Sequence, residues 1–156
     1  MPATKEGLEK LVEFFVYGML RAAESLGNAP LFLRAVEEAG LRKFLITDMP
    51  TFQPTDDAME TCQAYTKAAD EGGLYDGGDT VFRGDDNTVR AEIGDHCPDH
   101  RVCTMRHDEG LTVHCVRAFA HAEMRRIRTD GDFDWKLERF GRPCRITSTR
   151  ARWGKS

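Results

Sequence analysis

All five histidines of this chain, and three of its five cysteines, lie between His96 and His121. The segment reads HCPDHRVCTMRHDEGLTVHCVRAFAH. Imidazole and thiolate are the side chains that ligate borderline and soft metals. They are also the side chains whose charge changes near neutral pH. The cysteines are spaced Cys97-x5-Cys103-x11-Cys115, and Cys144 follows after 28 intervening residues. A zinc ribbon or finger carries two close pairs such as C-x2-C, and a ferredoxin run is tighter still. Neither spacing is present, so the chemistry must come from folding rather than from a local motif.

Two kinds of site fit these residues. In the first, Cys97, Cys103, Cys115 and Cys144 ligate zinc or an iron–sulfur cluster. Three thiolates leave an open position for reaction, and four close a structural site. In the second, Cys97 or Cys103 is a nucleophile, His100 or His107 its base, and Asp99 or Asp108 the orienting carboxylate. Plainer roles stand beside both. Cys115 and Cys144 fit a core as small hydrophobes. His114 and His121 fit a solvated helix stripe, and His100 and His107 a charged loop surface. There is no nucleophile elbow, P-loop or dinucleotide fingerprint, and Gly72-Gly73 and Gly77-Gly78 read as turns.

These residues need elements to hold them. Gly7 to Leu26 reads as an amphipathic helix with Leu8, Leu11, Val12, Phe15, Met19, Ala22, Ala23 and Leu26 on its main stripe, ended by Gly27. Phe14, Val16 and Tyr17 lie outside that stripe, more apolar width than one sheet face requires, which predicts a homodimer through this helix. Asn28 and Pro30 predict a second helix to Ala39, stopped at Gly40. Residues 41–49 read as a short helix, and Pro50 and Pro54 bracket a loop. Thr55 predicts the cap of a third helix over 56–70, with Cys62 buried on its apolar face.

The period then becomes two. Strands are predicted over 80–83 and 88–93 around the turn Gly84-Asp85-Asp86-Asn87. An irregular loop is predicted over 94–109 and a helix over 109–128. A closing hairpin has Phe133, Trp135 and Leu137 inward on one strand, and Cys144, Ile146 and Ser148 on the other. The fold class expected is α+β: N-terminal helices, then β-β-α-β-β with an antiparallel sheet. Residues 1–156 read as one domain, helical over 1–71, with sheet and site over 79–150.

The composition is ordinary, 40% hydrophobic and 31% charged, with a net charge of −4. That charge argues against a general attraction to nucleic acid. No apolar run approaches the ~20 residues of a membrane helix, and the start MPATKEGLEK lacks a secretory pattern. A cytoplasmic protein with reduced thiols is expected. Acids crowd the middle of the chain: Asp70, Glu71, Asp76, Asp79, Asp85 and Asp86. After Glu138 come only bases: Arg139, Arg142, Arg145, Arg150, Arg152 and Lys155. They form either a solvated strand pair and tail or a basic lip for an anion.

Cys97-Pro98, Cys103, a helix with Cys115, Phe133-Asp134-Trp135-Lys136 and Gly141-x-x-Cys144-x-Ile146 form a pattern over about the last 65 residues. It resembles the hydrocarbon-binding, 4-vinyl-reductase-like domains and the L-2-amino-thiazoline-4-carboxylic acid hydrolase-like domains. The resemblance implies a small-molecule pocket between helices and sheet, with Cys97, Cys103, Cys115 and Cys144 near it. The histidine-rich stretch departs from that pattern. Three functions are therefore open: a small-molecule-binding domain with a cysteine-centred metal site, which would act as enzyme or sensor; a metal-free cysteine hydrolase of small amides or thio-heterocycles; and a thiol redox sensor in which Cys97 and Cys103 form a reversible disulfide.

Overall fold

The computed structural model describes residues 4–47, 57–73, 79–85, 87–129 and 132–151. Five helices and a four-stranded antiparallel sheet are found among them, an α+β fold. The expected loop at Pro50 and Pro54, the cap at Thr55, the Gly77-Gly78 turn, Asp76, Asp86, Arg152 and Lys155 lie outside the described residues.

Helix α1 spans Lys5–Ser25, capped by Thr4, whose Oγ1 accepts a bond from Gly7 N at 3.1 Å. It ends where Gly27 takes φ +79°, as the sequence predicts. Its stripe is turned round, however. Val16, Tyr17 and Met19 pack with the buried Leu20 and Ala23, while Leu8, Leu11, Val12, Phe15 and Leu26 are exposed. The helix has two apolar faces, and of the expected stripe only Met19 and Ala23 face the core.

Asn28 caps α2, Ala29–Thr47, through Leu31 N. The predicted break at Gly40 is absent. The helix runs through it, with Leu33 and Leu41 buried on either side. Burial at both ends outweighs the ~1 kcal/mol cost of one helical glycine. Asp57 caps α3, Ala58–Glu71, and Cys62 is buried on it as expected.

Strands β1 (Thr80–Gly84) and β2 (Thr88–Ile93) form the expected hairpin. Asp85 Oδ1 accepts from the N–H groups of Asn87 and Thr88 in its turn. The predicted irregular loop contains helix α4, His100–Asp108. Sequence period misses it because the most deeply buried of its side chains is Arg106, not an apolar residue. The next predicted helix starts late. Gly110 at φ +72° closes α4, residues 111–115 are irregular, and α5 runs Val116–Thr129. Arg106 fixes this turn by donating to Thr112 O from Nε (3.0 Å) and Nη2 (2.8 Å).

Strands β3 (Phe133–Arg139) and β4 (Cys144–Arg150) close the sheet in the order β1-β2-β4-β3. The last strand is thus internal, paired to β2 as well as to β3. Helix α5 packs on β3 and β4, α2 on α5, and α3 on β1. Trp135 joins the two apolar clusters, meeting Phe119 edge-on at 4.6 Å between ring centres.

The basic C-terminal residues are mostly engaged. Arg145 holds Glu92 across the sheet at 2.7 Å, Arg139 donates to Pro143 O, and Arg150 lies over Phe133. No described helix is long and apolar enough to cross a membrane.

Candidate functional site

Four of the five cysteines line one cavity, and each comes from a different place in the chain. Cys97 stands in the turn that leaves β2. Cys103 is on α4, which the turn Asp99-His100 starts. Cys115 precedes α5 and receives the N–H groups of Ala118 and Phe119 on its carbonyl. Cys144 opens β4 and is paired with Ile93, the last residue of β2. That register sets Cys144 beside the point where the chain departs toward Cys97. Ile93, Val113, Leu137 and Phe140 supply the apolar lining, and Asp99 and His100 the polar part. The space between them is about 10 Å³, room for one water or one ion.

The electrostatics hold this pocket in its neutral form. Burial pushes the Cys97 thiol up, and the nearby Asp99 adds to it. Cys103 is pushed up to about 12, by burial first and then by Asp99, Cys97 and Cys144. Burial raises Cys115 well above the ordinary thiol range. Burial also raises Asp99, against the pull of the Arg117 guanidinium. The Cys144 thiol donates to Gly141 O at 3.1 Å. The thiolates of Cys97, Cys103 and Cys115 are thus disfavoured in the absence of a cation.

The histidines divide. His100 lines the pocket, and burial together with Arg142 lowers its pKa, so it is neutral near pH 7. Arg142 Nε donates to its Nε2 at 3.2 Å, which assigns the proton to Nδ1. His107 does not line the pocket. It lies exposed against the Phe140 ring, 5.0 Å between centres, with His100 stacked on the same ring. His96 is clamped outside by Asp79, which also accepts from its backbone N–H at 3.1 Å. His114 and His121 are buried elsewhere rather than solvated on a helix stripe. His114 faces Glu24, and His121 packs on Phe82 and Tyr65 beside Thr66.

Of the residues the sequence singled out, Cys97, Cys103, Cys115, Cys144, His100 and Asp99 meet, and His107 stays apart. Asp79 was not anticipated. Its carboxylate grips His96 and leans on Gly94, where an added Cβ would stand 2.9 Å from Asp79 Cγ. That clamp fixes the departure of the chain toward Cys97. A glycine ending a strand was the one available signal.

As donors, four cysteine sulfurs suit zinc or an iron–sulfur centre in kind. As they stand, no three His, Cys, Asp or Glu side chains among the described residues are close enough to hold a metal ion. Beside the pocket lies an open groove of about 520 Å³, which shares Cys97 and His100 with it and adds Arg101, Thr104, Asp108 and Arg142. No protein family, curated protein or solved structure matches the chain.

Proposed function

We propose that this chain is a small-molecule-binding domain whose thiol pocket takes one thiophilic metal ion, zinc in the first place. The observation that carries this reading is the convergence of Cys97, Cys103, Cys115 and Cys144 on one small cavity. Nothing in packing alone requires four thiols from four places to line the same space. A cation held there would offset the burial that now raises the Cys97, Cys103 and Cys115 thiols. The small space favours a single ion over a cluster of irons. Cys97, Cys103, Cys115 and Cys144 would hold the ion, and their sulfurs would have to move inward to do so. The groove that shares Cys97 and His100 is where a small molecule would reach the metal. The working unit is a homodimer in the cytoplasm, and its ligand is not a nucleic acid.

The metal-free hydrolase is the weaker reading. Cys97 and His100 line the same pocket, but burial and Asp99 both oppose the Cys97 thiolate that such an enzyme must use. Elemental analysis of the purified protein decides between them. We expect about one zinc per chain, with Cys103→Ser and Cys144→Ser each lowering metal content and Tm. Cobalt substitution should give sulfur-to-metal absorption that weakens in both variants. A brown protein with iron and sulfide would replace zinc by a cluster. Metal-free protein that stays metal-free when offered zinc would end the metal reading.

A further inference from the structure

We infer that the outer face of α1 is the contact between two copies of this chain, packed antiparallel about a two-fold axis near Phe15. The inference does not depend on the metal reading. Leu8, Leu11, Phe15, Ala22 and Leu26 recur at spacings of three, four and seven residues along one line of the helix, and Gly18 lies on the same line. All six positions are exposed. Leu8, Leu11, Phe15 and Leu26 each show more than half of their surface to solvent. Val12 and Phe14 flank the line and are as exposed. No charged residue interrupts it. The charged side chains of the helix, from Lys5 to Glu24, keep to its flanks and inner side.

The same helix lacks support where this face is richest. Every residue from Thr4 to Val12 is exposed, so its first two turns make no core contact of their own. Helical turns that bury nothing are marginal in water. Together the face offers roughly 600 Å² of apolar surface, the upper end of what a lone soluble domain leaves in one patch. Two copies bury on the order of 1,200 Å², where specific interfaces begin.

Side-chain size fixes the direction. Between Leu8 and Ala22, the bulky Leu8, Leu11 and Val12 lie on the N-terminal side of Phe15 and the small Gly18 and Ala22 on its C-terminal side, while Leu26 lies beyond this span. Antiparallel packing about Phe15 sets Leu8 opposite Ala22 and Val12 opposite Gly18, so bulk meets space at both ends. Parallel packing sets bulk on bulk and leaves a gap between the glycines. An isologous two-fold contact of this kind closes at two copies.

Light scattering of the full chain at tens of micromolar should give twice the 17.6 kDa chain mass. Phe15→Glu should give a folded monomer whose helix content by circular dichroism falls by no more than the first two turns of α1, which the contact supports. Val81→Glu, an exposed apolar position on β1, should remain dimeric. Direction is read by cross-linking under a mild oxidant against the wild-type background. Phe15→Cys should link to itself, and Leu8→Cys to Ala22→Cys in a mixed sample, but not Leu8→Cys to itself. A wild-type monomer, a dimer that survives Phe15→Glu, or self-linking of Leu8→Cys would each overturn the inference. So would a monomer that co-sediments with phosphatidylcholine vesicles, which would make the face a lipid contact.

Discussion

Asp99 shows how a single side chain sets the state of the site. It is half-buried beside three thiols whose ionisation it opposes, and burial raises its own pKa above the ordinary 3.8. A carboxyl raised on folding binds more protons in the folded chain than in the unfolded one. Its contribution to stability is therefore full below pH 3.8 and lost as pH rises through the raised value. Asp99→Asn should raise the Tm of the metal-free protein at pH 7, and the gain should vanish in thermal melts below pH 3.8. A variant no more stable at pH 7 would show that Arg117 already offsets the charge. Residue types revealed the thiols, because cysteine is scarce enough for four in one half of a chain to be noticed. They did not reveal which histidine joins them. His100 and His107 have similar charged neighbours in sequence and both lie against Phe140; only the place of His100 at the start of α4, three residues from Cys97, brings it to the pocket.

Elements were legible where an apolar period was continuous. The two hairpins, α3 and the existence of α1 follow from it. The period failed at α4, whose central position is a buried arginine, and at α1, whose two apolar faces leave direction undetermined. Both failures meet at one junction. Arg106, fully buried on α4, donates to Glu24 of α1 as well as to Thr112 O, and His114 approaches the same carboxylate at 3.4 Å. Helix α1 meets α4 through this carboxylate, through the Arg101–Glu13 pair at 2.9 Å and in the apolar cluster that holds Leu20, Ala23 and Val102. Removing one partner of a buried pair strands the other charge, at a cost of about 3 kcal/mol. Glu24→Ala should lower stability by that order in urea denaturation, whereas Arg21→Ala, at the surface, should change it by about 0.5 kcal/mol or less. Equal effects would mean that Arg106 finds another acceptor.

For the whole molecule, the α+β class and the order of elements could be read from the switch between helical and strand periods. The sheet order could not. Nothing local says that β4 enters between β2 and β3, because the register depends on pairing across more than fifty residues. For assembly the sequence argues only from the apolar width of α1, through Phe14, Val16 and Tyr17, whereas the face proposed for the contact carries Leu8, Leu11 and Phe15, which the sequence assigns to the core. If dimerisation supports α1, thermal stability depends on concentration. A tenfold dilution from tens of micromolar should lower Tm by about 3 °C, and Phe15→Glu should melt at a temperature independent of dilution. A wild-type Tm that ignores concentration would argue that α1 stands without help.

The central place of β4 has a consequence for the order in which the protein is made. A ribosome delivers β1, β2 and both site helices before the strand that joins them. Until Arg150 has emerged, β2 presents an unpaired edge next to an unfinished thiol pocket. Cys144 is the last sulfur to arrive and the first residue of the strand that seals that edge. Completion of the sheet and completion of the pocket are therefore one event. A nascent chain stalled before Cys144 has three of the four pocket thiols, an open edge and the greatest need of a chaperone.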